Sequence, residues 1–357
     1  MKLRLLLRIG VVCLISTYTL CSCSKDEVGN NIFKENIASV TVQRVYGSGD
    51  TYCAFTSVLE HEGSYYIAFR EGETHVQDGD YGVIRILKST DGEKWNLYQT
   101  IKSDNVDLRD PNLSEMPNGN MLLICGARRK TETGEFSTST YYSIEEKGGV
   151  FADVEETIIP VEFEGALCRW IWRLTWNNDE GYGVIYGKRD GKYYVSLLKT
   201  TNGKEYEKVT DFNVPGEPTE TKVRFMQDGT MIALVRRGYK EKGYMGKSKP
   251  PYTEWNWQEL SIYLAGQDFI IDGDNIICST RLSTNIEERT AIWYGDINGN
   301  FQWNYILPSS GTNSDTAYSS ILKKDGEIWI SYYSMHESQK PCIYLAKIPM
   351  MALPFLY

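Results

Sequence analysis

A turn signal recurs six times along the 357-residue chain and constrains its fold more than any other feature. Each copy is Asp, Asn or Glu followed by glycine, and the six glycines are Gly63, Gly119, Gly181, Gly229, Gly273 and Gly326. The intervals between them are 56, 62, 48, 44 and 53 residues, which indicates a repeat architecture. Apolar alternating segments follow several of these glycines, at 64–69, 120–124, 230–235 and 327–332. Each repeat is therefore predicted to open with a β-hairpin.

A second turn follows in several repeats and is clearest at residues 89–95, Ser-Thr-Asp-Gly-Glu-Lys-Trp, with weaker copies at 200–206 and 296–303. Asp and Asn side chains in such turns bond to the local backbone. The pattern resembles the Asp-box of sialidase-like proteins, a turn that lies on the face away from the site. This resemblance implies an all-β fold, a six-bladed, sialidase-like β-propeller over residues 39–357. The last repeat offers three strands, the third at 342–348, so we expect an N-terminal strand at 40–45 to close the last blade.

The N-terminus carries an export signal. Basic residues at Lys2, Arg4 and Arg8 precede an apolar run that is too short to span a bilayer, so residues 1–22 are predicted to be a signal peptide. Residues 20–23, Leu-Cys-Ser-Cys, resemble a bacterial lipobox, which implies lipidation of Cys23 and a tether through residue 38. The charged run at 24–27 resembles the surface-export signal of Bacteroidetes-type lipoproteins. We therefore expect an outer-membrane lipoprotein, exposed at the cell surface and attached to the membrane through its lipid anchor alone.

Composition narrows the classes of partner. The chain has 38 basic and 47 acidic side chains, a net charge of -9, which argues against a nucleic-acid-binding protein because such proteins neutralise phosphates. The sequence carries no dinucleotide, phosphate-loop or calcium-loop signature, so no cofactor is predicted. The cysteines after Cys23 lack metal-binding spacing and are read as small buried residues, with no metal site. We expect a monomer.

Basic residues are concentrated at one predicted location. Five of the six repeats end their second strand with a cation, namely Arg70, Arg128, Lys188, Arg236 and Arg281. The loops at that end should surround a central pit, to which Arg109 and Arg169 add positive charge. Because arginine binds planar oxyanions in a bidentate manner, the pit is interpreted as a carboxylate or sulfate pocket. The alternative is that these arginines form ion pairs with neighbouring acids at the strand ends.

Two segments resemble the catalytic region of sialidases. Residues 220–236 begin with Glu220, turn at Asp-Gly and end at Arg236, and residues 316–321 carry Tyr318 in a strand of the last repeat. The resemblance implies that Tyr318 is the nucleophile, that Glu220 removes its proton, and that Arg236 and Arg289 bind the substrate carboxylate. A neutral tyrosine suits a substrate that carries a carboxylate beside its anomeric carbon, since an anionic nucleophile would be repelled. The alternative for Tyr318 is an inward-facing core aromatic.

The general acid and one carboxylate-binding arginine are less clearly marked. The loop at 71–82 occupies the place of the sialidase acid/base loop, with Asp78 and Asp80 as candidates and His75 as a substitute. Sialidases usually carry an arginine on the first inner strand, whereas residues 52–57 contain none, so Arg70 or Arg109 would replace it. His336 is expected to face the same pit.

These observations favour an exo-acting, sialidase-like glycoside hydrolase that removes a terminal acidic sugar from glycans at the cell surface. Two alternatives remain open. One is a non-catalytic, surface glycan-binding lipoprotein that uses the same pit. The other is a polysaccharide lyase for glycans that contain uronic acid, with His75 or His336 and a tyrosine as base and acid.

Overall fold

The computed structural model describes residues 39–145, 149–284, 287–309 and 315–353. Within these ranges the chain forms 24 β-strands and two short 3₁₀ turns, Val161–Phe163 and Met350–Ala352, so the all-β prediction is confirmed. No helix in this part of the chain has the length and apolarity needed to cross a bilayer. The predicted signal peptide, Cys23 and the tether lie outside the described residues.

The strands form antiparallel units of four that follow one another along the chain. The first three units consist of β2 (Tyr52–His61), β3 (Ser64–Gly72), β4 (Val83–Ser89) and β5 (Asn96–Ile101); β6 (Asp107–Glu115), β7 (Met121–Lys130), β8 (Phe136–Glu145) and β9 (Glu155–Glu156); and β10 (Cys168–Asn177), β11 (Glu180–Arg189), β12 (Lys192–Thr200) and β13 (Glu207–Asp211). A short parallel pairing between β8 and β10 joins the second and third units into one larger sheet.

The remaining units are separate four-stranded sheets. They consist of β14 (Thr221–Phe225), β15 (Met231–Val235), β16 (Lys242–Ser248) and β17 (Asn256–Tyr263); β18 (Asp268–Asp272), β19 (Asn275–Ser283), β20 (Glu288–Asp296) and β21 (Phe301–Ile306); and β22 (Ala317–Lys324), β23 (Glu327–Ser334), β24 (Cys342–Pro349) and β1 (Thr41–Tyr46). In the last sheet β1 pairs with β24, with Thr41 opposite Lys347. The prediction that an N-terminal strand completes the last repeat is confirmed.

The first strands of the units contact one another in a cycle. Contacts run from β2 to β6, β10, β14, β18 and β22 in turn, and β22 contacts β2 again. Apolar clusters fill the spaces between consecutive units, and one of them lies between the last unit and the first. In β3, Tyr66 and Ala68 join the cluster shared with the second unit, whereas Ile67 and Phe69 join the cluster shared with the last. Both faces of such a strand are buried, which explains why its sequence is continuously apolar.

The local turns agree with the sequence in most repeats. Glu62 and Gly63 both have positive φ, 46° and 71°, as a two-residue hairpin turn requires. The third hairpin differs from the prediction: its turn is Asn178–Asp179, and Glu180 already pairs within β11. Asn178 adopts φ 52°, a left-handed conformation that asparagine tolerates better than most residues.

The second turn of the first unit is held by side-chain bonds. The Asp91 carboxylate accepts hydrogen bonds from the amides of Glu93 and Lys94, both 2.8 Å long. Asn202 accepts equivalent bonds in the third unit, both 2.9 Å long. The predicted interaction of these side chains with the local backbone is therefore present. The five cysteines of the described ranges are free thiols, and four of them are buried.

Candidate functional site

Four of the first strands carry the same backbone irregularity at the same level. In β2, β6, β10 and β22 the register shifts so that two residues oppose one on the neighbouring strand. The first residue of each bulge has positive φ: Phe55 at 62°, Asp110 at 49°, Arg173 at 39° and Tyr318 at 43°. Such conformations cost about 1–3 kcal/mol each and cluster at functional sites, where bulges redirect side chains. These four residues define one level of the ring that the first strands of the units form.

Tyr318 lies in a hydrogen-bonded group with Glu220 and Arg236. Its hydroxyl donates to Oε1 of Glu220 at 2.6 Å. Nη1 of Arg236 lies 2.8 Å from the same carboxylate oxygen and 2.9 Å from the Tyr318 hydroxyl. The amide of Gly266 donates to the other oxygen, Oε2, at 2.9 Å. The structure thus brings together three residues that the sequence analysis placed in one site.

The electrostatics of this group keep the proton on the phenol at rest. Burial opposes ionisation of Glu220, but the charge and hydrogen bond of Arg236, with the bonds from Tyr318 and Gly266, hold its pKa below the ordinary value. Burial and the adjacent Glu220 carboxylate raise the pKa of Tyr318 above its usual range. The resting state is therefore a neutral phenol bonded to an ionised carboxylate. Tyr318 can act as a nucleophile only when Glu220 accepts its proton.

A second polar group surrounds Asp315, three residues before Tyr318. The carboxylate accepts hydrogen bonds from the hydroxyls of Tyr52 and Tyr333 and pairs with Nδ1 of His75. Nη2 of Arg281 donates to it at 3.0 Å. Burial opposes ionisation of Asp315, yet His75, Arg281 and Tyr333 together hold its pKa below the ordinary value. Asp315 is therefore a carboxylate that organises side chains from three units.

Aromatic and cationic contacts join the two groups. The Phe55 ring lies edge-on to the rings of Tyr318 and His75, with centroid distances of 5.2 and 5.4 Å. Cζ of Arg281 is 5.4 Å from the Tyr318 ring centroid, and Cζ of Arg109 is 5.0 Å from that of Phe55. Arg109 thus lies beside the stretch in which sialidases usually carry an arginine.

Asp110 is a third acidic group at this level. Its side chain is buried, and among the described residues its Oδ1 has no hydrogen-bond partner. Burial raises the pKa of Asp110 to about 7, and the charge of Glu220 adds to that effect, while Arg109, Arg173 and His75 oppose it. Near neutral pH this side chain therefore exchanges a proton, which distinguishes it from the ionised Glu220 and Asp315.

Arg173 supports the backbone under the site. Its guanidinium donates to the carbonyl of Ser319, the residue after Tyr318, and to that of Thr56 at 3.2 Å. It also lies 3.5 Å from Asp268. One buried arginine thus links the bulges of β10, β22 and β2. It is a positioning residue, because it contacts the main chain of the site.

Three predicted residues have structural partners instead. Arg70 has no solvent exposure; it donates to Asp107 at 2.6 Å and to Asp80 at 3.3 Å. Asp80 also accepts from the amides of Thr74 and the preceding residue, so it stabilises its own loop. Asp78 is 58% exposed and forms a 2.8 Å ion pair with Lys130. The charged groups of Arg70, Asp78 and Asp80 are thus engaged by other side chains, and substrate binding by Arg70 and acid catalysis by Asp78 or Asp80 stay predictions.

Three further predicted residues have partners outside the two groups. Arg169 forms a 2.7 Å ion pair with Glu156. Arg289 pairs with Glu287 at 3.0 Å and donates to the Ser309 carbonyl. His336 bonds to Ser334 at 3.0 Å and its ring lies 4.5 Å from that of Tyr344. Arg281, near the end of β19, lies beside the Tyr318 ring and donates to Asp315.

Sequence reasoning did not place Asp315, Asp110 or Arg173 in the site. Asp315 directly precedes the Tyr318 motif, and Asp110 lies next to Arg109. Proximity in the chain to predicted site residues was therefore the signal that could have identified both. Arg173 carries no local signal.

No protein-family model and no curated protein matches the sequence. Solved structures do match it. The fold resembles that of sialidases. A Trypanosoma rangeli sialidase in complex with the inhibitor DANA aligns with a TM-score of 0.65 at 12% identity, over 87% of this chain and 60% of the sialidase. The present chain therefore spans about 60% of that enzyme's length.

Two other structures align over nearly their whole length. A protein of unknown function from Dyadobacter fermentans gives a TM-score of 0.72 at 15% identity, covering 86% of this chain and 98% of its own. An α-L-arabinofuranosidase from Fusarium graminearum gives 0.63 at 14% identity, covering 87% and 98%. At these identities the likeness establishes a fold shared with glycoside hydrolases.

Proposed function

We propose that this protein is an exo-acting glycoside hydrolase that removes a terminal acidic sugar with Tyr318 as its nucleophile. The observation that carries the proposal is the 2.6 Å hydrogen bond from the Tyr318 hydroxyl to Glu220, with Arg236 bonded to both. A phenol beside an ionised carboxylate can lose its proton as it attacks an anomeric carbon. Glycoside hydrolases among the structural neighbours support the same class of reaction.

The acidic substrate is supported by the guanidinium groups near the nucleophile. Arg236 bonds to the Tyr318 hydroxyl, Arg281 lies beside its ring, and Arg109 lies beside Phe55. Arginine forks bind carboxylates strongly. A tyrosine nucleophile also avoids the repulsion that a second carboxylate would exert on an acidic sugar.

The proposed framework is a six-bladed propeller with the site at its axis. The cyclic contacts among β2, β6, β10, β14, β18 and β22 support this arrangement, as does the pairing of β1 with β24. We also propose that lipid on Cys23 attaches the domain to the outer membrane, facing the cell exterior. Replacement of Cys23 by Ala should then abolish incorporation of labelled fatty acid and release the protein from the membrane fraction.

A lyase for uronic-acid-containing glycans is the second candidate. It is favoured by the 2.7 Å contact between the Tyr52 hydroxyl and Nδ1 of His75, since a histidine and a tyrosine could serve as base and acid. A binding protein without chemistry would use the same arginines.

The deciding experiment incubates residues 24–357, and the Tyr318→Phe variant, with sialylated, uronic-acid-capped and sulfated glycans. Release of a free acidic sugar by the wild type alone supports the hydrolase. An unsaturated product identifies the lyase, and binding without turnover identifies a glycan-binding protein. Equal sugar release by both forms would contradict the role of Tyr318.

A further inference from the structure

The His75–Asp315 pair is built like an acid/base group. Nδ1 of His75 is bonded to Asp315 and to the Tyr52 hydroxyl, which leaves Nε2 as the nitrogen available to a ligand. The His75 side chain is 48% exposed, whereas Asp315 is 22% exposed. A carboxylate that is bonded to one nitrogen of an accessible imidazole fixes its tautomer for proton transfer.

The pair is close to the nucleophile. The Phe55 ring contacts the rings of both His75 and Tyr318, at centroid distances of 5.4 and 5.2 Å. Arg281 contacts both the Asp315 carboxylate and the Tyr318 ring. The backbone supplies a second link, because Asp315 lies three residues before Tyr318.

The competing acids are paired with other side chains or buried. Asp80 is bound by Arg70 and by the amides of its own loop, and Asp78 is paired with Lys130. Oδ1 of Asp110 is buried within the protein, without solvent contact. Of the acid/base candidates on this loop, His75 is therefore the one that is both exposed and in contact with Phe55, beside the nucleophile.

We propose that His75, oriented by Asp315, is the general acid/base of this site. The inference rests on the proposed hydrolase function. In the first step the Tyr318 oxygen bonds to the anomeric carbon and its proton passes to Glu220. The bond from that carbon to the leaving oxygen breaks, and Nε2–H of His75 protonates that oxygen.

In the second step neutral His75 accepts a proton from water, and the water oxygen bonds to the anomeric carbon. The carbon–Tyr318 bond breaks and Glu220 returns its proton to the phenolate. Both residues regain their initial protonation state. Asp315 is a positioning residue throughout, because it acts through the imidazole.

The test compares leaving groups that need a proton with one that does not. Probes are the 4-methylumbelliferyl glycosides of N-acetylneuraminic and glucuronic acid, each beside a disaccharide that carries the same terminal sugar. We expect His75→Gln to lower kcat/KM for the disaccharide by about 100-fold or more, but for the aryl glycoside by less than about 10-fold. Asp315→Asn should show the same asymmetry with a smaller loss. Glu73→Gln, on the same loop with a side chain 72% exposed, is the control.

The outcomes separate the two proposals. Equal losses on both leaving groups in His75→Gln would overturn the acid/base role while the hydrolase remained. A wild type that cleaves none of the probes, aryl or disaccharide, would overturn both proposals. If Asp315→Asn fails to fold, the exposed His75 variant decides the question alone.

Discussion

Gly266 lies directly against Tyr318. A Cβ at position 266 would stand 2.4 Å from the Tyr318 ring and 2.8 Å from its Cα. Gly266 also has φ +57° and donates its amide to Glu220. A side chain here would therefore displace the nucleophile and disturb its base together.

Gly266→Ala should destabilise the protein and lower its activity. Gly273→Ala is the matched control, because Gly273 has φ +59° but open space around its Cβ position. Both variants incur the backbone strain, whereas only Gly266→Ala overpacks the site. We expect the free energy of unfolding to fall by about 1–3 kcal/mol more in Gly266→Ala. Equal stability losses of the two variants in denaturant titrations would show that Tyr318 can move away from position 266 at little energetic cost.

Replacement of Asp110 by Asn should change how stability depends on pH. The folded protein raises the pKa of Asp110 to about 7, against about 3.9 when unfolded. The folded state thus binds the proton more tightly than the unfolded state does. The resulting stabilisation of the folded state is complete below pH 4 and is lost as pH rises through 7. Over that interval the wild type should lose up to about 4 kcal/mol relative to Asp110→Asn. Urea titrations at pH 4.5 and 8 would measure the difference.

The control for this experiment is Asp104→Asn at an exposed turn. Its stability curve should run parallel to that of the wild type. A parallel curve for Asp110→Asn as well would mean that Asp110 ionises in the folded protein without cost.

Glu220→Gln should remove most of the activity while the fold remains. The amide cannot take the proton of Tyr318, so we expect kcat to fall by about 10²–10⁴. Its nitrogen would also face a donor, either Arg236 or the Gly266 amide, so the melting temperature should drop. Glu254→Gln, at an exposed position, should leave kcat and the melting temperature unchanged. Retained activity in Glu220→Gln would exclude Glu220 as the base.

Asp91→Ala should affect stability without affecting activity. Asp91 accepts the amides of Glu93 and Lys94, and these bonds lower its pKa to about 2. The stabilisation is present above the unfolded pKa of about 3.9 and is lost as pH falls through 2. The melting temperature of Asp91→Ala should therefore lie below that of the wild type at pH 7 and approach it near pH 2. Thr90→Ala, at an exposed turn position, serves as the control, and a constant gap would contradict the assignment.

Much of the fold could be predicted from the sequence because turns and strands depend on residues that are close together in the chain. Turns such as Glu62–Gly63 need left-handed backbone, and the alternating strands that follow need two buried faces, so residue types alone report both. The exceptions are the third and fifth hairpins, where the turns fall at Asn178–Asp179 and Gly273–Asp274 because Glu180 and Asp272 already belong to the paired strands. Glu220, Arg236 and Tyr318 were also recognisable, since short motifs carry them.

The remainder of the site depends on closure of the ring. His75 and Asp315 are 240 residues apart in the chain, and Arg173 reaches Ser319 across 146 residues. No local pattern reports such contacts, because they arise only when units that are distant in the chain pack together.

The repeats, their strands and the Tyr318–Glu220–Arg236 group can thus be predicted from residue types and their spacing. Which charges remain free for chemistry depends on packing between units that are distant in the chain. Arg70 and Asp80 neutralise each other inside the protein, whereas His75 stays accessible beside the half-buried carboxylate of Asp315. The physical reason is that burial and ion pairing are properties of the assembled ring, and they determine whether an ionisable side chain stabilises the protein or is available to a substrate.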